Sequence, residues 1–185
     1  MKIFKLSMVL LLICAIVAGV LGVVNFVTAD RIAQQKALKT ARAYAAVLES
    51  ESYTDVDFDR DAFPTVDNIA QADNGKGYVV MTSFSGSQGK ITMAVGVGNE
   101  LKCTGISIIS HSETSGLGAN AASTAEVGVN FRAQFVGEDS GVALKKAGGN
   151  IDALTGATIT STAVTNATAT AINAVAALIE GGAAA

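Results

Sequence analysis

The sequence predicts an α+β protein: one N-terminal transmembrane helix, then a single extracytoplasmic domain in which an antiparallel sheet is flanked by helices. Three observations predict it. Leu6 to Ala29 is a run of 24 residues without a charge. Between Tyr78 and Ile108 apolar residues recur mostly at every second position, and from Thr158 onward at helical steps of three and four. A length of 185 residues leaves room for one globular unit and little more.

As a helix the uncharged run is about 36 Å long, enough to cross a hydrocarbon core of about 30 Å with some tilt. Lys2 and Lys5 precede it, and by the positive-inside rule the N-terminus is cytoplasmic and everything after Asp30 is outside. A cleavable signal peptide is the competing reading, with Val27-Thr28-Ala29 as small residues near a cleavage site. Its apolar stretch is normally only about 7–15 residues, so a retained single-pass anchor over 1–29 is expected. All 16 acids and 11 of the 13 Lys and Arg lie at or after Asp30, which leaves that part at −5. Such a balance, and −3 for the whole chain, gives no footprint for nucleic acid.

The outer part is expected to begin with a helix over 30–50, on which Leu38, Ala41, Ala45 and Leu48 share a face. No Pro or Gly interrupts residues 25–50, so this helix can continue the anchor directly. Residues 51–76 are acidic and carry Pro64 and Asn74-Gly75, which reads as loop with one short strand. Together 30–76 form a helix and acidic linker region ahead of the main domain, 77–182. Tyr78 to Phe84 is a strand, and Ser85 to Gly89 a turn. Ile91, Met93, Val95 and Val97 alternate as on a half-buried strand. After Gly98-Asn99-Glu100 a third strand starts at Leu101 and Cys103. Its apolar phase slips to Ile106 and Ile108 beside Gly105, which suggests a β-bulge. Ser123 and Glu126 have the spacing of a capping box, with Phe131 and Phe135 one helical turn apart behind them. Val164, Ala171, Val175 and Leu178 mark the buried face of a last helix, ended by Gly181-Gly182.

Most chemistry finds no support. Cys14 lies in the apolar run and Cys103 in a strand, so neither a disulfide nor a zinc site is expected. There is one histidine, His111, and no nucleophile elbow, dinucleotide fingerprint or P-loop. No catalytic residue and no metal ligand is expected. Two segments remain: the polar loop His111 to Gly118 and the cluster Ile151 to Ser161. In the second, Thr155, Thr158, Thr160 and Ser161 surround the start of the last helix, where free N–H groups and the dipole favour a phosphate. Gly156 and Ala157 leave room for a bulky group. The ordinary alternative is a set of capping hydroxyls with small packing residues, and from the residues alone the two readings stand level.

Asp152-Ala-Leu-Thr-Gly-Ala-Thr158 resembles the D-x-x-[ST]-G-A-[ST] flavinylation motif of the FMN-binding domain family. Glu113-Thr-Ser-Gly-Leu-Gly118 resembles the E-T-P-G-L-G loop of the same family, with Ser115 in place of its proline. Within the family the chain looks most like the G subunits of Rnf ion-translocating electron-transport complexes, relatives of the C subunit of the sodium-pumping NADH:quinone reductase. The resemblance implies FMN joined through a phosphoester to Thr158, transferred from FAD by a dedicated flavin transferase that recognises Asp152, Thr155, Gly156, Ala157 and Thr158. It also implies flavin contacts from Glu113, Thr114, Gly116, Leu117 and Gly118, with Thr155, Gly156, Ala157, Thr160 and Ser161 around the attachment point. The implied function is an electron relay, without a complete active site of its own, in a membrane complex coupling ferredoxin oxidation and NAD reduction to Na+ or H+ translocation. The implied partners are the other subunits of that complex. The alternatives are a stand-alone extracytoplasmic flavin carrier and a non-redox anchored binding module.

Overall fold

The computed structural model describes residues 2–182, with side chains from Phe4 to Gly181. Helix α1 (Lys2–Val47) is uninterrupted, as the absence of Pro and Gly after Asn25 anticipates. The chain divides into two compact units, residues up to Lys39 and residues from Thr40 onward. The first is helix alone. Its stretch from Phe4 onward is long and apolar enough to cross a membrane, and the large apolar side chains from Phe4 to Val27 are exposed.

The second unit is built on five strands: β1 (Tyr53–Val56), β2 (Val66–Ala72), β3 (Gly77–Ser85), β4 (Lys90–Gly98) and β5 (Cys103–Ser110). Each pairs antiparallel with the next in sequence, giving an open meander. The acidic 51–76 segment therefore holds two strands where one short strand is expected. Strands β1 and β2 carry exposed Thr54, Asp55, Asp67 and Gln71, so composition alone makes them look like loop. Ile69, Ala70 and Ala72 are nevertheless fully buried.

The last turns of α1 lie on one face of the sheet: Ala43, Tyr44, Val47 and Leu48 pack with Ala70, Ala72, Val79 and Ala94. On the other face lie α2 (Glu126–Ala133) and α3 (Thr158–Gly182), whose Phe131, Val164, Ala171 and Val175 pack with Ile69, Val80, Met93, Val95 and Ile106. Strand β4 is thus covered on both sides, and Met93 to Val97 are all buried, which corrects the half-buried reading of this strand. The alternating Ala94 and Gly96 are small because α1 needs to come close on that face. The bulge is present: Gly96 pairs with Gly105 and Val97 with Cys103, leaving Thr104 as the extra residue. Its hydroxyl donates to the Val47 carbonyl at 2.5 Å, fastening the end of α1.

The capping box is not formed. Helix α2 begins after Ala125 with no side-chain cap, and Ser123 Oγ instead accepts the Ala125 N–H at 3.1 Å. Phe131 and Phe135 meet edge to face at 5.4 Å between ring centres, both essentially inaccessible. Each contributes about 1.5–3 kcal/mol by burial, and their pairing about 1 more. Helix α3 starts at Thr158 and runs through Gly181 and Gly182 to the limit of the described residues.

Candidate functional site

Both sequence segments converge on the N-terminus of α3. After β5 the chain turns tightly: the N–H groups of Leu117 and Ala119 both donate to the Thr114 carbonyl at 3.2 Å. Gly116, at the apex, has a φ of +78°, and its carbonyl accepts from Asn120 Nδ2 at 2.9 Å. Ahead of α3, Ala157 N–H donates to the Leu154 carbonyl at 3.0 Å, and Gly156 has a φ of +71°. A β-carbon on Gly156 would stand 3.0 Å from Leu117 Cδ2, so the two segments touch there.

Glu113 is buried under this contact. One carboxylate oxygen accepts the N–H of Gln88 at 2.9 Å, and the other accepts the hydroxyl of Thr160. Burial pushes this carboxyl up. The N–H of Gln88, the Thr160 hydroxyl, the N–H of Ser87 and nearby His111 pull it down and prevail, so it lies below the ordinary glutamate value. Gly118 sits where a β-carbon would land on that carboxylate and on the Thr160 hydroxyl, so close approach, and not a left-handed φ, requires glycine there. His111 accepts the Glu113 N–H on Nδ1 at 3.3 Å, an ordinary structural role.

A cleft of about 350 Å³ opens between these parts, lined by Ser87, Gln88, Glu113, Thr114, Leu117, Gly118 and residues 156–160. That volume falls in the range of small-molecule sites, about 300–1,000 Å³. Of the expected site residues, Glu113, Thr114, Leu117, Gly118, Gly156, Ala157, Thr158 and Thr160 line it. Gly116, Thr155 and Ser161 do not. Ser87, Gln88 and Ile159 line it without having been singled out in the sequence. Ile159 carries a readable signal, being an apolar residue off the buried face of α3 and 64% exposed.

The hydroxyls of the cluster divide sharply. Thr160 donates to Glu113. Ser161 is buried, accepts the Leu154 N–H at 2.9 Å and donates to the Ala157 carbonyl at 3.0 Å. Thr162 donates to the Thr158 carbonyl at 2.8 Å. Within this cluster, and among the described residues, only Thr155 and Thr158 have no partner for the hydroxyl, and both are exposed. Of these two, Thr158 alone borders the cleft. It also borders a smaller hollow on its other side, lined by Lys146, Thr162 and Asn166 among others. The N–H groups of residues 158–160 begin the helix without a carbonyl partner, since the first bond of the ladder is Ser161 N–H to the Ala157 carbonyl at 2.9 Å.

Asp152 is not a helix cap. Its carboxylate meets Lys145 Nζ at 2.6 Å on the surface, and its N–H donates to Gln134 Oε1 at 2.7 Å. Cys103 is buried, which pushes its thiol up to about 11 and leaves it inert at neutral pH.

Comparison with known proteins gives two family matches: the FMN-binding domain over residues 86–173 and the RnfG N-terminal region over residues 1–47. The G subunit of the ion-translocating oxidoreductase complex of Methanosarcina acetivorans is 33% identical over 183 residues, covering 93% of this chain and 94% of that one. The G subunit of the Na+-translocating ferredoxin:NAD+ oxidoreductase complex of Acetobacterium woodii is 31% identical over 190 residues, covering 89% and 87%. Among solved structures, the C subunit of the Na+-translocating NADH-quinone reductase of Parabacteroides distasonis matches 68% of this chain and 67% of that one, with 21% identity and a TM-score of 0.46. Two family matches lie along one chain, and the relatives align over nearly its whole length. This protein therefore belongs to the family of G subunits of ion-translocating oxidoreductase complexes and carries an FMN-binding domain.

Proposed function

We propose that this chain is the membrane-anchored flavin subunit of an Rnf-type complex. It relays electrons within an assembly that couples ferredoxin oxidation and NAD reduction to Na+ or H+ translocation, without a complete active site of its own. FMN is held by a phosphoester on Thr158, installed from FAD by a flavin transferase. The anchor is 1–29, with its N-terminus cytoplasmic; the region 30–76 leads to the FMN-binding domain, 77–182, outside the cell membrane.

The observation that carries this reading is the fate of the hydroxyls. Thr158 is the one hydroxyl of the cluster that is exposed, unpartnered and at the cleft. The fit to a flavin phosphate rests on the donors around it. The unpaired N–H groups at the start of α3 and the dipole behind them favour an anion. Leu117 and Ile159 offer apolar surface beside them, and Gly156 and Gly118 line the cleft without a side chain of their own. FMN, when bound, supplies the redox chemistry. The chain attaches and orients it, and the covalent link keeps it where no cytoplasmic pool can replace it.

Coexpression with a flavin transferase tests the attachment. Thr158→Val removes a hydroxyl without a partner, so stability should stay within about 0.5 kcal/mol of wild type. In-gel flavin fluorescence of the denatured chain should vanish in that variant and persist in Thr155→Val. Fluorescence retained in Thr158→Val refutes the attachment site. Copurification with integral membrane subunits separates the complex from a stand-alone carrier.

A further inference from the structure

Strands β3 and β4 end in a tight hairpin, Ser85 pairing with Lys90 and Gly86 N–H donating to the Gly89 carbonyl at 2.8 Å. No motif marks its tip, Ser87-Gln88, yet both residues line the cleft. They are held there by one side chain. The Glu113 carboxylate takes the Gln88 N–H on one oxygen and the Thr160 hydroxyl on the other, bridging the hairpin to the first turn of α3. Gly86 beside the tip faces this junction, and Gly89 faces the neighbouring Ser112. A β-carbon on Gly86 would strike the Glu113 carboxylate and Ile91, and one on Gly89 would stand 3.1 Å from Ser112 Cβ. Glu113 is 8% exposed, and both of its carboxylate oxygens are engaged. Its geometry is that of a clasp, with little of it left to face a ligand.

We propose that Glu113 is a positioning residue that locks the tip of the β3–β4 hairpin onto the start of α3, making Ser87 and Gln88 a wall of the flavin cleft. The clasp itself stands on the protein alone; its consequence for the flavin rests on the function proposed above. The wall fixes the environment of one side of the cofactor, so loosening it changes the flavin's surroundings without removing its attachment point.

Amide hydrogen exchange on the full chain in detergent micelles tests the clasp, and visible circular dichroism per attached flavin tests its consequence. The Gln88 N–H is bonded to Glu113, and a hydrogen bond to a charged acceptor corresponds to about tenfold or more in protection. Exchange at Gln88 should therefore accelerate about tenfold or more in Glu113→Ala. Thr160→Val, nearly isosteric, frees one end of the clasp and should accelerate it less. Thr160→Ser keeps the donor and should restore both exchange and dichroism. Unchanged exchange in both Glu113→Ala and Thr160→Val overturns the clasp. Faster exchange with unchanged dichroism overturns the positioning role. A wild-type chain that takes up no flavin beside its transferase sinks the flavin reading instead, and the exchange measurement still decides the clasp.

Discussion

Gly118→Ala adds a single methyl group at a point where the structure has no room for one. The new carbon falls onto Glu113 Oε2 and the Thr160 hydroxyl, with Glu113 Cβ a further 3.0 Å contact. Since φ at Gly118 is not left-handed, the whole cost is steric. Two responses are open. Either the backbone of the loop shifts, at about 1–3 kcal/mol for overpacking, or the carboxylate swings away and forfeits the bonds from Gln88 and Thr160. Those are charge-assisted and contribute about 1.5–3 kcal/mol each, partly recovered when the freed carboxylate reaches water. The cheaper route sets a loss of about 1–3 kcal/mol. At a urea dependence of about 2 kcal/mol per molar, the midpoint falls by about 0.5–1.5 M. Gly116→Ala is the matched control: nothing lies within 4 Å of its added carbon, and only the φ of +78° penalises it, by about 1 kcal/mol. Equilibrium urea unfolding of the full chain in micelles, followed by far-ultraviolet circular dichroism, ranks the two. A Gly118→Ala chain as stable as wild type, or more stable than Gly116→Ala, refutes the packing argument.

The folded value of Glu113 is depressed, so its carboxylate stabilises the fold above the ordinary glutamate range and that contribution is lost as pH falls through the folded value. The gap in urea midpoint between wild type and Glu113→Ala should be full at neutral pH and shrink below about pH 4.3. A gap that is the same at pH 7 and pH 3 would show that charge is not involved. Asp152 pairs with Lys145 on the surface, where side chains 63% and 58% exposed contribute little to stability. Asp152→Asn should therefore leave the unfolding midpoint unchanged while slowing flavin attachment several-fold, read by in-gel fluorescence over time. An unchanged rate removes Asp152 from transferase recognition.

The fold was legible where composition or a shift of apolar phase marks the element locally. Strand β3, buried on both faces, was legible from its β-rich composition, and the bulge at Thr104 from the slip in apolar phase beside Gly105. Legibility failed where burial comes from elements distant in sequence. Strands β1 and β2 carry exposed Asp55 and Asp67, and what makes them strands is pairing along the meander with β3. Strand β4 alternates Ala and Gly with its larger residues. The small residues look solvent-facing until the end of α1 covers them. The α2 start failed for a local reason: a serine three residues before a glutamate permits a capping box but does not compel one. Here Ser123 spends its oxygen on Ala125, one residue too early.

The site was more legible than its motifs suggest. Val164, Ala171 and Val175 set the buried face of α3. At about 100° per residue, Ser161 and Thr160, three and four positions before Val164, fall on or beside that face. Both are buried. Thr158 lies six positions before Val164, about 120° away from it around the helix, in line with exposed Thr162 and Asn166. Helical phase together with burial therefore separates an exposed hydroxyl from two committed ones. Thr155 escapes this argument because it precedes the helix, and only the cleft distinguishes it from Thr158. The hairpin tip could not be found this way. Gln88 reaches the cleft through a bond to a carboxylate 25 residues away, and no periodicity of its own strand records that distance.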